Sequence, residues 1–400
     1  MSEISDFGEM VLIVAAGAGL ALFGRTLTER LAIPGAALFL LAAAAASDLF
    51  PRLGDAVSFV TVERLAVVAL IVILFDGGMQ IGWRRARVSI VPILSLGLLG
   101  TFATAGLLAV AAHVLLGFSW TTSGLLGAAL APTDPAVTFS VLGGREIRGR
   151  TGTILQGESG ANDPVGIALM IGMIELATEA DGSFWTVVQE FAVEMAGGAV
   201  IGVAGAAALL PLLRRTRLPE PSLYPLQVLA GAGVVYGAAT LVHGSGFLAV
   251  FIAGLLIGDA HVPHQREIEG FHASVASLAE MAAFVALGLT IDLTDVVTSG
   301  DWLDGLVLAG VLGLLIRPLV TVALLLPVRL DWGERLFVAW SGLKGAVPIL
   351  LAALAVIAAV EDASRIYDIV FVVVLFSVVV QGTLLPTVAA RLRVPLHHVE

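Results

Sequence analysis

The chain divides into thirteen apolar runs, and no other feature constrains its fold as tightly. Their approximate limits are 8–25, 31–48, 62–82, 88–116, 119–143, 151–177, 186–213, 222–242, 245–260, 270–292, 302–327, 334–359 and 366–390. Most approach the about 20 residues that a helix needs to cross a bilayer core. The ninth is short, and only His243-Gly244-Ser245-Gly246 parts it from the eighth. In lipid the backbone must satisfy its own polar groups, and runs of this length do so as helices. The expected fold is an all-α polytopic membrane protein with about 13 transmembrane helices. Composition agrees: 58% of residues are hydrophobic and 13% charged, against a charged share of about 25% in soluble domains. The polar gaps are short, so residues 1–400 are expected to form a single transmembrane domain. No cysteine occurs, which excludes a disulfide framework, thiol chemistry and a Cys-based metal site. The opening Met1-Ser2-Glu3-Ile4-Ser5-Asp6 lacks the basic region of a signal peptide, so the first run is expected to be retained.

The net charge of −11 matters less than where the charges lie. Of 20 arginines, 16 fall in alternate gaps: Arg25, Arg30, Arg84, Arg85, Arg87, Arg145, Arg148, Arg150, Arg214, Arg215, Arg217, Arg266, Arg329, Arg335, Arg391 and Arg393. The opposite gaps hold only Arg52, Arg64 and Arg365, and are rich in acid, with Glu175, Glu179, Asp181, Asp292, Asp295, Asp301 and Asp304. By the positive-inside rule the N-terminus lies outside and the C-terminus in the cytoplasm. A miscounted helix would scramble this asymmetry. The expected location is the inner membrane of a bacterial or archaeal cell.

Seven charges inside the runs stand out: Asp76, Asp134, Glu158, Asp163, Glu280, Arg317 and Lys344, the last being the only lysine. Charges at that depth are costly and mark function more often than anchoring. The densest group is Gln156-Gly157-Glu158-Ser159-Gly160-Ala161-Asn162-Asp163-Pro164 in the sixth run. Ser159 and Asp163 are four apart and share a helix face, as do Glu158 and Asn162. Two oxygen-bearing side chains on one face can replace part of a small cation's hydration shell. The plainer reading is a set of polar groups that tie helices together, which accounts for Ser159 and Asn162 more easily than for a charged Asp163.

The fifth run contains Ala131-Pro132-Thr133-Asp134-Pro135, and the twelfth contains Ser341-Gly342-Leu343-Lys344-Gly345-Ala346-Val347-Pro348. Proline removes a backbone donor and breaks the helix, so both runs are expected to be interrupted beside a charge. Their offset of seven runs is odd, which inverts one relative to the other. This suggests two inverted repeats, about 8–177 and 222–390, around a linking helix at about 186–213. Matched broken helices point to a transporter binding site, although proline kinks are common in membrane helices generally.

Asp163 is the candidate carboxylate for binding either a cation or a proton, because burial favours the protonated form of a carboxylate and lets the two compete near neutral pH. Its plainer role is a fixed ion pair with Arg317 or Lys344. Asp134 and Thr133 offer further oxygens at the first break, and both also make good helix caps. Asn162 suits the capping of loose backbone groups. Arg317 and Lys344 suit the neutralisation of Glu158 and of half-helix C-termini. Asp76, in Leu74-Phe75-Asp76-Gly77-Gly78-Met79, lies near the cytoplasmic end of its run, as an access group for the cation or an interfacial residue beside Arg84 and Arg85. Glu280 has no assigned role. The histidines, at positions 113, 243, 261, 264, 272, 397 and 398, fall mostly at run ends or in gaps and are expected to be surface residues.

At these residues the chain resembles the NhaP-type monovalent cation/proton antiporters, bacterial relatives of the eukaryotic sodium/proton exchangers. The matching stretches are Leu74-Phe75-Asp76-Gly77-Gly78-Met79, Thr133-Asp134-Pro135, Glu158 to Pro164, Arg317-Pro318-Leu319 and Gly342 to Pro348. They occur in the family's order across nearly the whole chain. The resemblance implies a homodimer of thirteen-helix protomers, each with a dimer-forming part and a mobile six-helix core. It implies a monovalent cation site at Asp163, Ser159, Asp134 and Thr133, with Asn162 structural and Arg317 paired to Glu158. The Asn162-Asp163 pair goes with electroneutral one-for-one exchange in such families. Lys344 departs from the family's usual Arg, which keeps the charge but loses the planar fork. Some relatives, including potassium/proton members, carry a cytoplasmic regulatory domain, whereas this sequence stops at Glu400.

The expected function is that of a secondary antiporter of Na⁺, K⁺ or Li⁺ against H⁺, a transporter and not an enzyme, with no cofactor beyond the transported ions and no nucleic-acid partner. A potassium-selective member of the same family is the nearest alternative. Two readings come from other classes. Gly157-Glu158-Ser159-Gly160 fits a rhomboid-like serine protease pattern with His243 as base, but this explains neither Asp134 nor Asp163. A cation channel would use the same carboxylates without coupling.

Overall fold

The computed structural model describes residues 35–50, 57–142, 145–147, 149–178, 184–394 and 396–398. Its helices are α1 (Gly35–Leu49), α2 (Phe59–Ile81), α3 (Trp83–Val88), α4 (Ile90–Leu116), α5 (Trp120–Leu130), α6 (Pro135–Val141) and α7 (Arg150–Thr178). They continue as α8 (Phe184–Arg215), α9 (Leu223–Leu241), α10 (Gly246–Gly258), α11 (Gln265–Gly288), α12 (Leu293–Ser299), α13 (Asp301–Leu325), α14 (Trp332–Trp340), α15 (Ala346–Ile357) and α16 (Ala363–Arg391). Among the described residues six helices are long and apolar enough to cross a membrane, namely α4, α8, α9, α11, α13 and α16, and α1, α10 and α15 are shorter apolar helices. The protein is a membrane protein whose membrane-spanning segments, among the described residues, are all helical. The first expected run, 8–25, and the first residues of the second, 31–34, lie outside the described residues.

The fifth and twelfth runs are broken as their prolines and glycines require. α5 ends at Leu130 and α6 starts at Pro135, while α14 ends at Trp340 and α15 starts at Ala346. A subtler irregularity appears in three other spans. α4, α13 and α16 each contain a π-helical turn, at Ser95–Gly100, Leu312–Ile316 and Ser377–Gly382. Such turns interrupt the regular ladder and are common near functional sites.

Three details differ from the sequence expectation. The arginine-rich gap after α2 forms the short helix α3, entered through Gly82 at φ 69°. The acidic gap after α11 contains α12, because the Asp292 side chain accepts from the Asp295 N–H at 2.8 Å and caps it. A small antiparallel ladder, β1 (Arg145–Ile147) with β2 (Leu396–His398), joins the segment before α7 to the segment after α16. These stretches lie outside the apolar runs, and the ladder pairs their backbone groups with each other.

Glycines set the closest helix contacts. A Cβ on Gly254 of α10 would strike the Phe75 carbonyl of α2, and one on Gly258 would strike that of Met79. Small residues at four-residue spacing let membrane helices approach backbone to backbone. Gly254→Leu is therefore expected to force α2 and α10 apart and destabilise the fold by about 1–3 kcal/mol or more. The check is a thermal melt of the purified protein, and an unchanged melting temperature would contradict the packing.

α7 lies at the centre. It buries Gly157, Glu158, Ser159, Gly160, Asn162, Asp163 and Pro164, nearly its whole circumference. A helix buried all round belongs in a core. Gly157 packs under Ile93 of α4 and Gly160 under the Phe251 ring of α10, where a Cβ would overlap either side chain. By contrast α8 and α9 leave Val193, Val200, Val203 and Val234 exposed, as expected of lipid-facing helices.

Candidate functional site

The two breaks meet. Residues 131–134 and 341–345 lie against each other, and their backbone groups are shared between the two spans. The Asp134 N–H donates to the Leu343 carbonyl at 2.8 Å. The Thr138 hydroxyl donates to the Ser341 carbonyl at 3.0 Å. The Lys344 ammonium donates to the carbonyls of Ala131 at 3.0 Å and Pro132 at 2.8 Å. Those carbonyls follow the end of α5, where helical donors run out and a cation complements the helix dipole. Gly345 makes the approach possible, since a Cβ there would overlap the Asp134 carboxylate.

α7 packs its polar face onto this crossing. Ser159 Oγ donates to the Thr133 carbonyl at 2.6 Å. Asn162 Nδ2 donates to Thr133 Oγ1 at 2.8 Å, and Asn162 Oδ1 accepts from the Thr133 N–H at 3.4 Å. Asp134 Oδ1 accepts from the Ala136 N–H at 2.8 Å, which is the geometry of a cap on α6. Asp163, one helical turn from Ser159, is buried, and its Oδ1 accepts no hydrogen bond from the described residues. A buried acceptor in that state costs about 1–3 kcal/mol, which a proton or a cation would relieve.

On the adjoining face of α7, Glu158 Oε1 lies 2.6 Å from Arg317 Nη1, and both residues are buried. Arg317 directly follows the π turn Leu312–Ile316. Its guanidinium lies over Gly342, where any Cβ would collide with it. The two buried bases thus have separate partners. Arg317 faces a carboxylate and Lys344 faces carbonyls, so the bidentate contact that only an Arg could make at 344 is replaced by two single bonds from one ammonium.

Of the residues singled out in the sequence, the structure gathers Thr133, Asp134, Glu158, Ser159, Asn162, Asp163, Arg317 and Lys344 around this crossing. Asp76 stands apart. It is buried, and its Oδ2 accepts from Gln80 on its own helix at 2.6 Å; among the described residues none of the cluster's bonds above includes it. His272 corrects an expectation. It is fully buried, two turns into α11, with Nδ1 2.9 Å from the Ile268 carbonyl and its ring 5.6 Å from that of Phe75. The helix starts at Gln265, so position 272 falls inside the bundle and not at its end. Sequence reasoning missed Thr138, Ser377 and Gln381. Ser377 Oγ accepts from the Lys344 N–H at 3.0 Å, and the Gln381 carbonyl accepts from the Trp340 indole at 3.3 Å. The one sequence signal for Ser377 and Gln381 is that they are polar residues four apart in the valine-rich last run.

Known proteins resemble this chain over most of its length. A family model described as sodium/hydrogen exchanger, transmembrane, matches residues 5–391. The K⁺/H⁺ antiporter NhaP of Alkalimonas amylolytica is 36% identical over 328 residues, which is 82% of this chain and 57% of that protein. The chain thus spans little more than half the length of that relative. The K⁺/H⁺ antiporter NhaP2 of Shewanella sp. (strain ANA-3) is 32% identical over 401 residues, covering 98% of this chain and 69% of its own. Among solved structures, the sodium proton antiporter MjNhaP1 from Methanocaldococcus jannaschii superposes with a TM-score of 0.79 at 25% identity, over 96% of this chain and 100% of that one. With the broken spans crossing beneath a buried Asn-Asp pair and the family model matching almost end to end, the chain belongs to the sodium/hydrogen exchanger family.

Proposed function

We propose that the protein is a secondary antiporter exchanging a monovalent cation for a proton, with the two competing for Asp163. The observation that carries the reading is the Asp163 carboxylate, buried one turn from Ser159 with an oxygen that accepts no hydrogen bond from the described residues. In this reading Asp163, Ser159, Asp134 and Thr133 supply the cation's oxygens. Asn162 holds Thr133, and the pairs Glu158–Arg317 and Lys344 with the α5 carbonyls keep the surrounding charge balanced. Either ion neutralises Asp163, and a neutral site moves through a low dielectric at far less cost than a charged one. An empty site stays put, so transport in one direction requires transport in the other.

The substrate is Na⁺, K⁺ or Li⁺. The named relatives include K⁺/H⁺ antiporters and a Na⁺/H⁺ antiporter, NhaH of Halobacillus aidingensis, which supports the shared class of reaction. The paired breaks, at corresponding places in runs five and twelve, support two inverted repeats around α8. The π turns in α4 and α13, again seven runs apart, support it further. The arginine distribution supports an N-terminus outside and a C-terminus in the cytoplasm of the inner membrane. A homodimer follows from the family resemblance. The protease reading gains no support from Ser159, whose hydroxyl faces a carbonyl and not a base.

The test uses purified protein in liposomes with an interior pH dye and the voltage clamped at several values. Addition of Na⁺ or K⁺ should collapse an imposed proton gradient at a rate independent of voltage, as one-for-one exchange requires. Proton flux unaffected by any monovalent cation would overturn the proposal, and voltage-dependent flux would overturn its electroneutrality.

A further inference from the structure

Within the crossing, residues 341–344 are tied to the rest of the protein by few bonds, and one of these comes from a different span. Thr138 holds the Ser341 carbonyl and Asp134 holds the Leu343 carbonyl, both from the first broken span. The Lys344 N–H instead donates to Ser377 Oγ at 3.0 Å. Ser377 lies on α16, opens the π turn Ser377–Gly382, and is buried. Gly342 lies within this stretch and Gly345 follows it, and neither has a side chain to anchor the unwound segment. The orientation of Lys344 is thus set by what grips it from outside.

The side chain of Lys344 points the other way, onto the Ala131 and Pro132 carbonyls. Those two residues directly precede Thr133 and Asp134. A shift of the Lys344 backbone would pass through the ammonium into the segment that carries the Thr133 carbonyl and hydroxyl. We propose that Ser377 is a positioning residue for the exchange site: its hydroxyl fixes the Lys344 amide and so holds the first broken span in the geometry that binds the cation. The proposal rests on the antiporter reading above. It assigns a role to the last span, and it explains why a polar side chain sits among Phe376, Val378, Val379 and Val380.

A purely structural role would be that Ser377 satisfies a buried donor and nothing more. The two are separated by measuring cation KM, maximal rate and melting temperature for wild type, Ser377→Ala and Ser377→Thr in the liposome assay with Na⁺ and with K⁺. Loss of the tie is expected to raise KM about tenfold with the maximal rate within about twofold, and Thr, which keeps the hydroxyl, should restore the wild-type KM. An unchanged KM with a lowered melting temperature would overturn the proposal, as would a Thr variant no better than Ala. Should the Ala variant fail to fold, Ser377→Cys keeps the shape with a poorer acceptor, and an unaltered KM there overturns it equally. Absence of cation-driven exchange in the wild type would instead overturn the antiporter reading itself.

Discussion

Asp163→Asn is expected to abolish exchange of both ions. The carboxamide keeps the size and shape of the carboxylate, so the crossing stays intact around it. What changes is the charge. An amide neither takes up nor releases a proton in the working pH range, and it leaves a bound cation uncompensated. Moving one unpaired charge through the membrane interior costs about 2.5–3.5 kcal/mol on the most lenient scale, or about a hundredfold in rate. Cation-driven proton flux in liposomes should therefore fall by about a hundredfold or more, with the melting temperature close to wild type. Retained flux in this variant would show that another group carries the proton.

The second large effect is expected at the buried pair beside the site. Arg317→Ala leaves Glu158 charged, buried and without its counter-ion. Breaking such a pair by removing one partner costs about 3–5 kcal/mol, whereas replacing both partners with apolar residues is often close to neutral. Arg317→Ala should thus melt at much lower temperature than wild type, and Arg317→Met combined with Glu158→Leu should recover most of the loss. The recovery is the diagnostic result, since contacting residues are non-additive. If the double variant were as unstable as the sum of the singles, the 2.6 Å contact between Glu158 and Arg317 would not be an energetic pair. Gly342, which leaves room for the guanidinium, predicts that Arg317→Lys is an incomplete substitute.

Much of this was legible in the sequence because the membrane makes mistakes expensive. A charged residue in an apolar run must have a partner, so Asp163, Glu158, Arg317 and Lys344 stood out by position alone. The breaks at Pro132–Pro135 and Gly342–Pro348 were legible because proline and glycine act locally. Partner choice was less so. The family resemblance pairs Arg317 with Glu158, as the structure has it, but nothing in the linear order says that Lys344 turns to the Ala131 and Pro132 carbonyls; that depends on which face each span presents after it has been broken or bent. The π turns were illegible for a related reason. Ser95–Gly100 and Leu312–Ile316 share the run Leu-Gly-Leu-Leu, but Ser377–Gly382 reads Ser-Val-Val-Val-Gln-Gly, so no pattern common to all three marks the turn. Ser377 was overlooked because a lone serine in an apolar helix usually bonds to its own preceding turn. His272 was misplaced because the helix containing it begins seven residues earlier, at Gln265, and brings it into the bundle.

The central claim, one carboxylate shared in turn by proton and cation, is tested most directly by proton release. Purified protein in a weakly buffered solution with a pH dye is titrated with Na⁺ or K⁺ at a pH where Asp163 is protonated. Wild type should release about one proton for each cation bound, because a cation can enter only as the proton leaves, and Asp163→Asn should release none. Cation binding to wild type without proton release, or equal release from Asp163→Asn, would contradict the account.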